Sequence, residues 1–213
     1  MANYNKGILG AFSGKVGNVV GASWRSLSVM RSLPKKSKRI PSDLQVQQRA
    51  KVSVLIPFLA KGKDIIDKYY GQKHGFKSRM NLCTSYHLLN VMIEDAGEMI
   101  IKYPRVIWTK GELLGLGSVT VVMAASQEMD ITYTGWSGQG NAEDEDEVMV
   151  MVYNKDLDQL LAVTNIATRI SGTATVSLPE YWSGHSVEVW ISIASDPRKL
   201  VATSQYIGER VVT

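Results

Sequence analysis

The chain is poor in most of what would declare a chemistry. Of its 213 residues one is cysteine, Cys83, and three are histidine, His74, His87 and His185. A lone cysteine forms no internal disulfide, and no His or Cys cluster has zinc-ligand spacing, so no metal or other cofactor is expected. The longest uncharged apolar runs, such as residues 119–125, fall far short of the roughly 20 residues that cross a bilayer. The opening MANYNKGILGAFSGK holds only a short, broken apolar run, without the extended hydrophobic region of a secretory signal. These absences lead to the expectation of a protein that stays in the cytoplasm, or in a particle assembled there.

Catalytic constellations are equally scarce. Gly14-Lys15 is the end of a phosphate loop only in part, since Leu9 stands where the first glycine belongs and Val16 where Ser or Thr should bind magnesium. A dinucleotide loop would need a strand in front of it, and only six residues precede Gly7. Cys83 and His87 are four apart on an expected helix and can touch, but a cysteine and a hydrogen-bonded histidine on a packing face account for them without catalysis. The expectation is a non-enzyme with no evident small-molecule substrate.

What the chain does have is charge, unevenly placed. Residues 1–80 carry 16 Lys and Arg against 3 Asp and Glu, whereas residues 81–213 carry 8 against 17. The net charge of +4 therefore hides a cationic front and an anionic remainder. Such asymmetry suits a polyanionic partner, or attraction between unlike parts of neighbouring copies. Lys15, Arg25, Arg31, Lys35, Lys36, Lys38, Arg39, Arg49 and Lys51 are the candidate polyanion contacts, with Trp24 a candidate for stacking on bases. The run Glu143, Asp144, Glu145, Asp146 and Glu147 lacks the glycine and alternating ligands of a calcium loop. It reads as a solvated loop between strands and a candidate docking patch for basic residues.

Hydrophobic patterning divides the chain similarly. In GILGAFSGKVGNVVG the glycines fall at 7, 10, 14, 17 and 21. A glycine helix face would cost about 1 kcal/mol per residue relative to alanine, so bends and close backbone approach explain them better. VVGASWRSLSVMRSLP reads as a hairpin turning at Arg25 and Ser26. After the basic KKSKRIP, residues 41–43 resemble a helix start, LQVQQRAKVSVLIPFLAKGKDIIDKYY follows as a helix bent or reset by Pro57 and interrupted near Gly62, and a further helix fits residues 78–93. From residue 100 the pattern becomes short strands: PRVIW, SVTVVMA, MDITYTGW, EVMVMVY, QLLAVTN, TATVSLP, HSVEVWISIA and LVATSQYI. The predicted fold is α+β: an N-terminal β-hairpin plus helices over 1–98, followed by an antiparallel immunoglobulin-like β-sandwich over 99–213.

TATVSLPEYWSGHSVEVWISIASDPRKLVATSQYIG resembles the last three strands of a fibronectin type III domain, and DITYTGW its early strand bearing a core aromatic; Val187 stands where that family often has a corner tyrosine. The whole chain resembles an uncharacterised family of bacterial proteins of about 200 residues, through GILGAFSGKVGNVVGASW, MRSLP, the helix residues Gln47, Gln48, Arg49 and Ala50, and GNAEDED. Its front part is similar to bacteriophage and prophage proteins in which a glycine-rich hairpin leads into a Gln-x-x-Arg helix. These resemblances imply a binding or structural role. The first expectation is a protein whose basic half contacts nucleic-acid phosphates, DNA or RNA, largely without sequence specificity. The alternative is a self-assembling subunit of phage or prophage type that joins basic to acidic surfaces between copies, as a homo-oligomer or larger assembly.

Overall fold

The computed structural model describes residues 2–3, 12–24, 27–35, 39–72, 75, 77–197 and 199–213. The chain forms two compact units, residues 1–43 and 44–213.

The first unit is a small antiparallel sheet of β1 (Ala2–Asn3), β2 (Gly14–Val16), β3 (Val19–Trp24) and β4 (Leu27–Ser32), in the order β1-β4-β3-β2. Trp24 pairs with Leu27, so the hairpin turns where the sequence places it, although Arg25 and Ser26 themselves lie outside the described residues. Gly17 takes φ +56° at the first of two turn positions between β2 and β3, where a type II′ hairpin needs glycine. Gly21 is required differently: a Cβ there would run into the ring and carbonyl of Phe12. Gly7 and Gly10 lie outside the described residues.

The second unit begins with three helices, α1 (Asp43–Lys61), α2 (Lys63–Tyr69) and α3 (Arg79–Asn90). Helix α1 runs through Pro57 and stops at Gly62, where the ring of Trp108 fills the space a Cβ would take. Helix α3 is capped by the Ser78 side chain, which accepts from Asn81 N–H at 3.2 Å. It ends at Asn90 rather than continuing to 93. Residues Met92–Asp95 (β5) instead pair with Glu98–Ile101 (β6) across Ala96 and Gly97, both at positive φ (+49° and +88°), a turn that the Asp-Ala-Gly-Glu sequence does not advertise.

The sandwich follows. Strands β7 (Gly117–Met123), β8 (Glu128–Thr134) and β11 (Thr173–Ser177) form one sheet in the order β11-β8-β7. The other runs β10 (Gln159–Thr168), β9 (Glu147–Asn154), β12 (Ser186–Ser195), with β14 (Gln205–Val211) and the short β13 (Leu200–Val201) both pairing β12. All pairings are antiparallel and the partition is that of an immunoglobulin-like sandwich. Two predicted strands are corrected. PRVIW is a 3-10 turn at Tyr103–Arg105 followed by irregular chain, whose Trp108 N–H donates to Ser204 Oγ (2.9 Å) instead of to a ladder. LVATSQYI is broken at residues 202–204, where Ser204 N–H turns aside to the Thr109 carbonyl (3.0 Å).

The core explains why the change of pattern near residue 98 is not a division between cores. Val148, Val150 and Val152 of β9 face the interior of the sandwich, while Met149, Met151 and Tyr153 on the other face pack with Leu55, Phe58 and Leu59 of α1, Ile66 of α2 and Trp108. Strand β12 does the same, with Val189 and Ile191 inward and Trp190 outward. The helices thus form a third layer on the larger sheet, and residues on either side of position 98 share one apolar core. Among the described residues no helix is long and apolar enough to cross a membrane.

Candidate functional site

Sheet register places the basic candidates of the first unit. Lys15 lies opposite Val20, which lies opposite Arg31, so the two cations share a face with one strand between them, about 10 Å apart at the backbone. Alternation puts Trp24 on that same face, at the turn end of β3, half exposed. Lys35 and Arg39 are exposed in the segment after β4. Arg25, Lys36 and Lys38 lie outside the described residues. Arg49 and Lys51 belong to the second unit, on the early turns of α1, the first exposed and the second half-buried.

Further along, three cations take partners within the chain. Lys61 pairs with Asp158 (2.8 Å) and Lys68 with Asp196 (2.6 Å). Arg79 donates to the carbonyls of Asp67 (2.6 Å), Lys68 (2.7 Å) and Gly71 (3.0 Å), tying the start of α3 to the end of α2, where a cation complements the helix dipole. Tyr69 and Tyr70 are buried in the helical core and present no ring to a base.

The acidic run is not one surface. Glu143, Asp144 and Glu145 are exposed, and Glu147 is half-buried at the start of β9. Asp146 is buried and corrects the reading of a uniformly solvated patch: its Oδ2 accepts from Arg169 Nε at 3.0 Å and from Glu143 N–H at 3.0 Å. The fully buried Arg169 gives its remaining donors to the carbonyls of Gly135 (2.6 Å), Leu114 (2.7 Å) and Gly115 (3.4 Å). Alternating-strand logic cannot find this arginine, because its partners come from three loops far apart in sequence.

Cys83 and His87 do meet, Sγ to Nδ1 at 3.4 Å, both fully buried. The geometry makes His87 a peg. Its Nδ1–H donates to the Cys83 carbonyl (2.8 Å) and its Nε2 accepts from Ile107 N–H (3.3 Å), joining α3 to the segment before Trp108. Burial holds the imidazole well below its ordinary range, at about 4, and pushes the thiol up to about 12, so the pair is two neutral groups and not an activated nucleophile. Among the described residues no group of three or more His, Cys, Asp or Glu is placed to hold a metal ion.

Two surface features were not legible in the sequence. Residues 42–49, including the first turns of α1, are all exposed, among them Leu44 at 77% and Val46 at 53%. Further along the helix, Val54 and Pro57 enter a hollow of about 500 Å³ walled by Ile100, Ile101 and Tyr103. The second feature is a cavity of about 810 Å³ between the end of α2, the start of α3 and the turn joining β12 to β13. Its lining comes from four separate stretches of chain, 68–72, 79–82, 110–112 and 196–203, none of which carries a motif.

The model of a family of unknown function (DUF6266) matches residues 11–208 of the chain. No curated protein matches it.

Proposed function

The chain belongs to the DUF6266 family, and on that premise we propose that it is a structural subunit that assembles with copies of itself. The observation that carries this reading is the uncovered start of α1. A helix gains most of its stability in water from packing an apolar face, and eight successive exposed residues with Leu44 and Val46 among them leave that face unpaid. The exposed Val54 and Pro57 continue the apolar surface into the hollow beside Ile100 and Ile101. The division of charge supports a second copy as the partner, with the basic front of one chain meeting Glu143, Asp144 and Glu145 of the next. A head-to-tail contact of this kind builds rings or filaments.

Sedimentation velocity of the full chain across micromolar concentrations tests it. Assembly is expected in low salt, and a monomer throughout overturns the reading. Replacing Glu143, Asp144 and Glu145 by Gln, Asn and Gln weakens the assembly if the charge argument is right.

The row of Lys15 and Arg31 with Trp24 on one sheet face supports a second reading, phosphate contact with DNA or RNA. Under it, nucleic acid shifts with the full chain on a gel at low salt, and Lys15→Glu with Arg31→Glu abolishes the shift. No shift at low salt removes it.

A further inference from the structure

We propose that the cavity between α2, α3 and the β12–β13 turn binds a small organic anion, its charged head at Lys110 and Lys199 and its apolar body against Leu82, Leu200 and Val201. This does not rest on the assembly reading. At about 810 Å³ the cavity is within the usual range of small-molecule sites, about 300–1,000 Å³, and it combines an apolar wall with a few charged groups, as such sites do.

The sign of the ligand follows from the lining. Lys68 and Asp196 neutralise each other at 2.6 Å. Arg79 keeps its full charge, since its partners are carbonyl groups. Lys110 and Lys199 have no carboxylate partner among the described residues, and the Lys110 ammonium sits 5.7 Å from the centre of the Tyr86 ring, a contact that steadies it without cancelling it. Against these three cations stands Glu112. The surplus is positive, and partial exclusion of water strengthens its attraction for an anion.

The walls are also held in place before any ligand arrives. Tyr69 Oη–H donates to Asp196 at 3.1 Å, bracing α2 against the β12–β13 turn. Gly71 N–H donates to the Lys110 carbonyl (2.7 Å) and Lys110 N–H to the Tyr69 carbonyl (3.1 Å), fixing the backbone that carries one proposed contact. On the opposite side Thr203 Oγ1–H donates to the Gly111 carbonyl at 3.2 Å, and the space where Gly111 would carry a Cβ is filled by the Val201 carbonyl. A site rigid in this way binds without a large ordering cost.

Isothermal titration calorimetry of the full chain with hexyl phosphate tests the proposal, with hexanol and inorganic phosphate as partial probes. Saturable one-to-one binding is expected, at least about tenfold tighter than for either partial probe, because charge and apolar contact act together. Lys110→Glu combined with Lys199→Glu, both exposed positions, should weaken hexyl phosphate at least about tenfold, whereas Lys102→Glu, an exposed lysine outside the cavity, should leave it unchanged. Circular dichroism verifies that the double variant is folded. Absence of saturable binding, equal affinity for hexanol, or an unchanged double variant overturns the proposal.

Discussion

Arg169 is fully buried with its charge met by one carboxylate and three carbonyls, and it shows how much a single side chain can depend on distant loops. Burying an ion pair is costly, and the pair repays little by itself; breaking it leaves a lone charge without water. Arg169→Met should therefore destabilise the chain by about 3–5 kcal/mol, and adding Asp146→Leu should recover part of that loss, because the double variant no longer buries an unpaired carboxylate. Urea denaturation of the three proteins measures both effects. His87 gives a different dependence. Its folded pKa of about 4 lies below the ordinary 6.5, so its contribution is fully present above pH 6.5 and is lost as pH falls toward 4, where the unfolded chain takes up a proton that the folded chain does not. The shift corresponds to about 3 kcal/mol, and the loss of stability between pH 7 and pH 4.5 should be shallower in His87→Gln than in the natural chain. Equal slopes would mean that the ring is not the titrating group.

At the scale of elements, the close approach of Gly62 and Trp108 is what lets α1 end and α2 begin against the sheet. Gly62→Ala drives a methyl into a fully buried ring, and overpacking of this kind costs about 1–3 kcal/mol, read as a lower urea midpoint. The start of α1 behaves in the opposite way, since residues 42–49 are all exposed. In dilute solution the amides of residues 47–50 should exchange with deuterium much faster than those of residues 58–61, whose turn carries the buried Phe58 and Leu59. If copies assemble through this helix, raising the concentration protects the first group selectively. Elements also show why some strands were readable and others were not. Strand β8 alternates buried and exposed residues without a fault and was legible as written. The segment at residues 104–108 has the composition of a strand, but its backbone groups are satisfied by a 3-10 turn and by Ser204, a partner about a hundred positions away.

The whole molecule joins what the pattern of residues separates. Strands β9 and β12 are buried on both faces, and each face belongs to a different packing layer. Fluorescence of Trp108, Trp182 and Trp190 should consequently follow the same urea transition as far-UV circular dichroism, since the two layers share these strands. Two separate transitions would show that the layers fold independently. A fragment of residues 99–213 should aggregate, because it lays bare Met149, Met151, Tyr153 and Trp190.

The sequence by itself determined the elements that depend on local periodicity and punctuation: the glycine-bearing hairpin at residues 19–32, the helices, the alternating strands of the sandwich and the split of charge at about residue 80. It also showed that Cys83 and His87 could touch, since a spacing of four on a helix allows it, and they do. Only the tertiary structure decided that Asp146 leaves its acidic neighbours for Arg169, that Lys61, Lys68 and Arg79 are held within the fold, and that Lys110 and Lys199 share one cavity. The reason is physical: periodicity reports which face of an element avoids water, whereas the fate of a charge depends on which partner, brought from elsewhere in the chain, stands within hydrogen-bond reach.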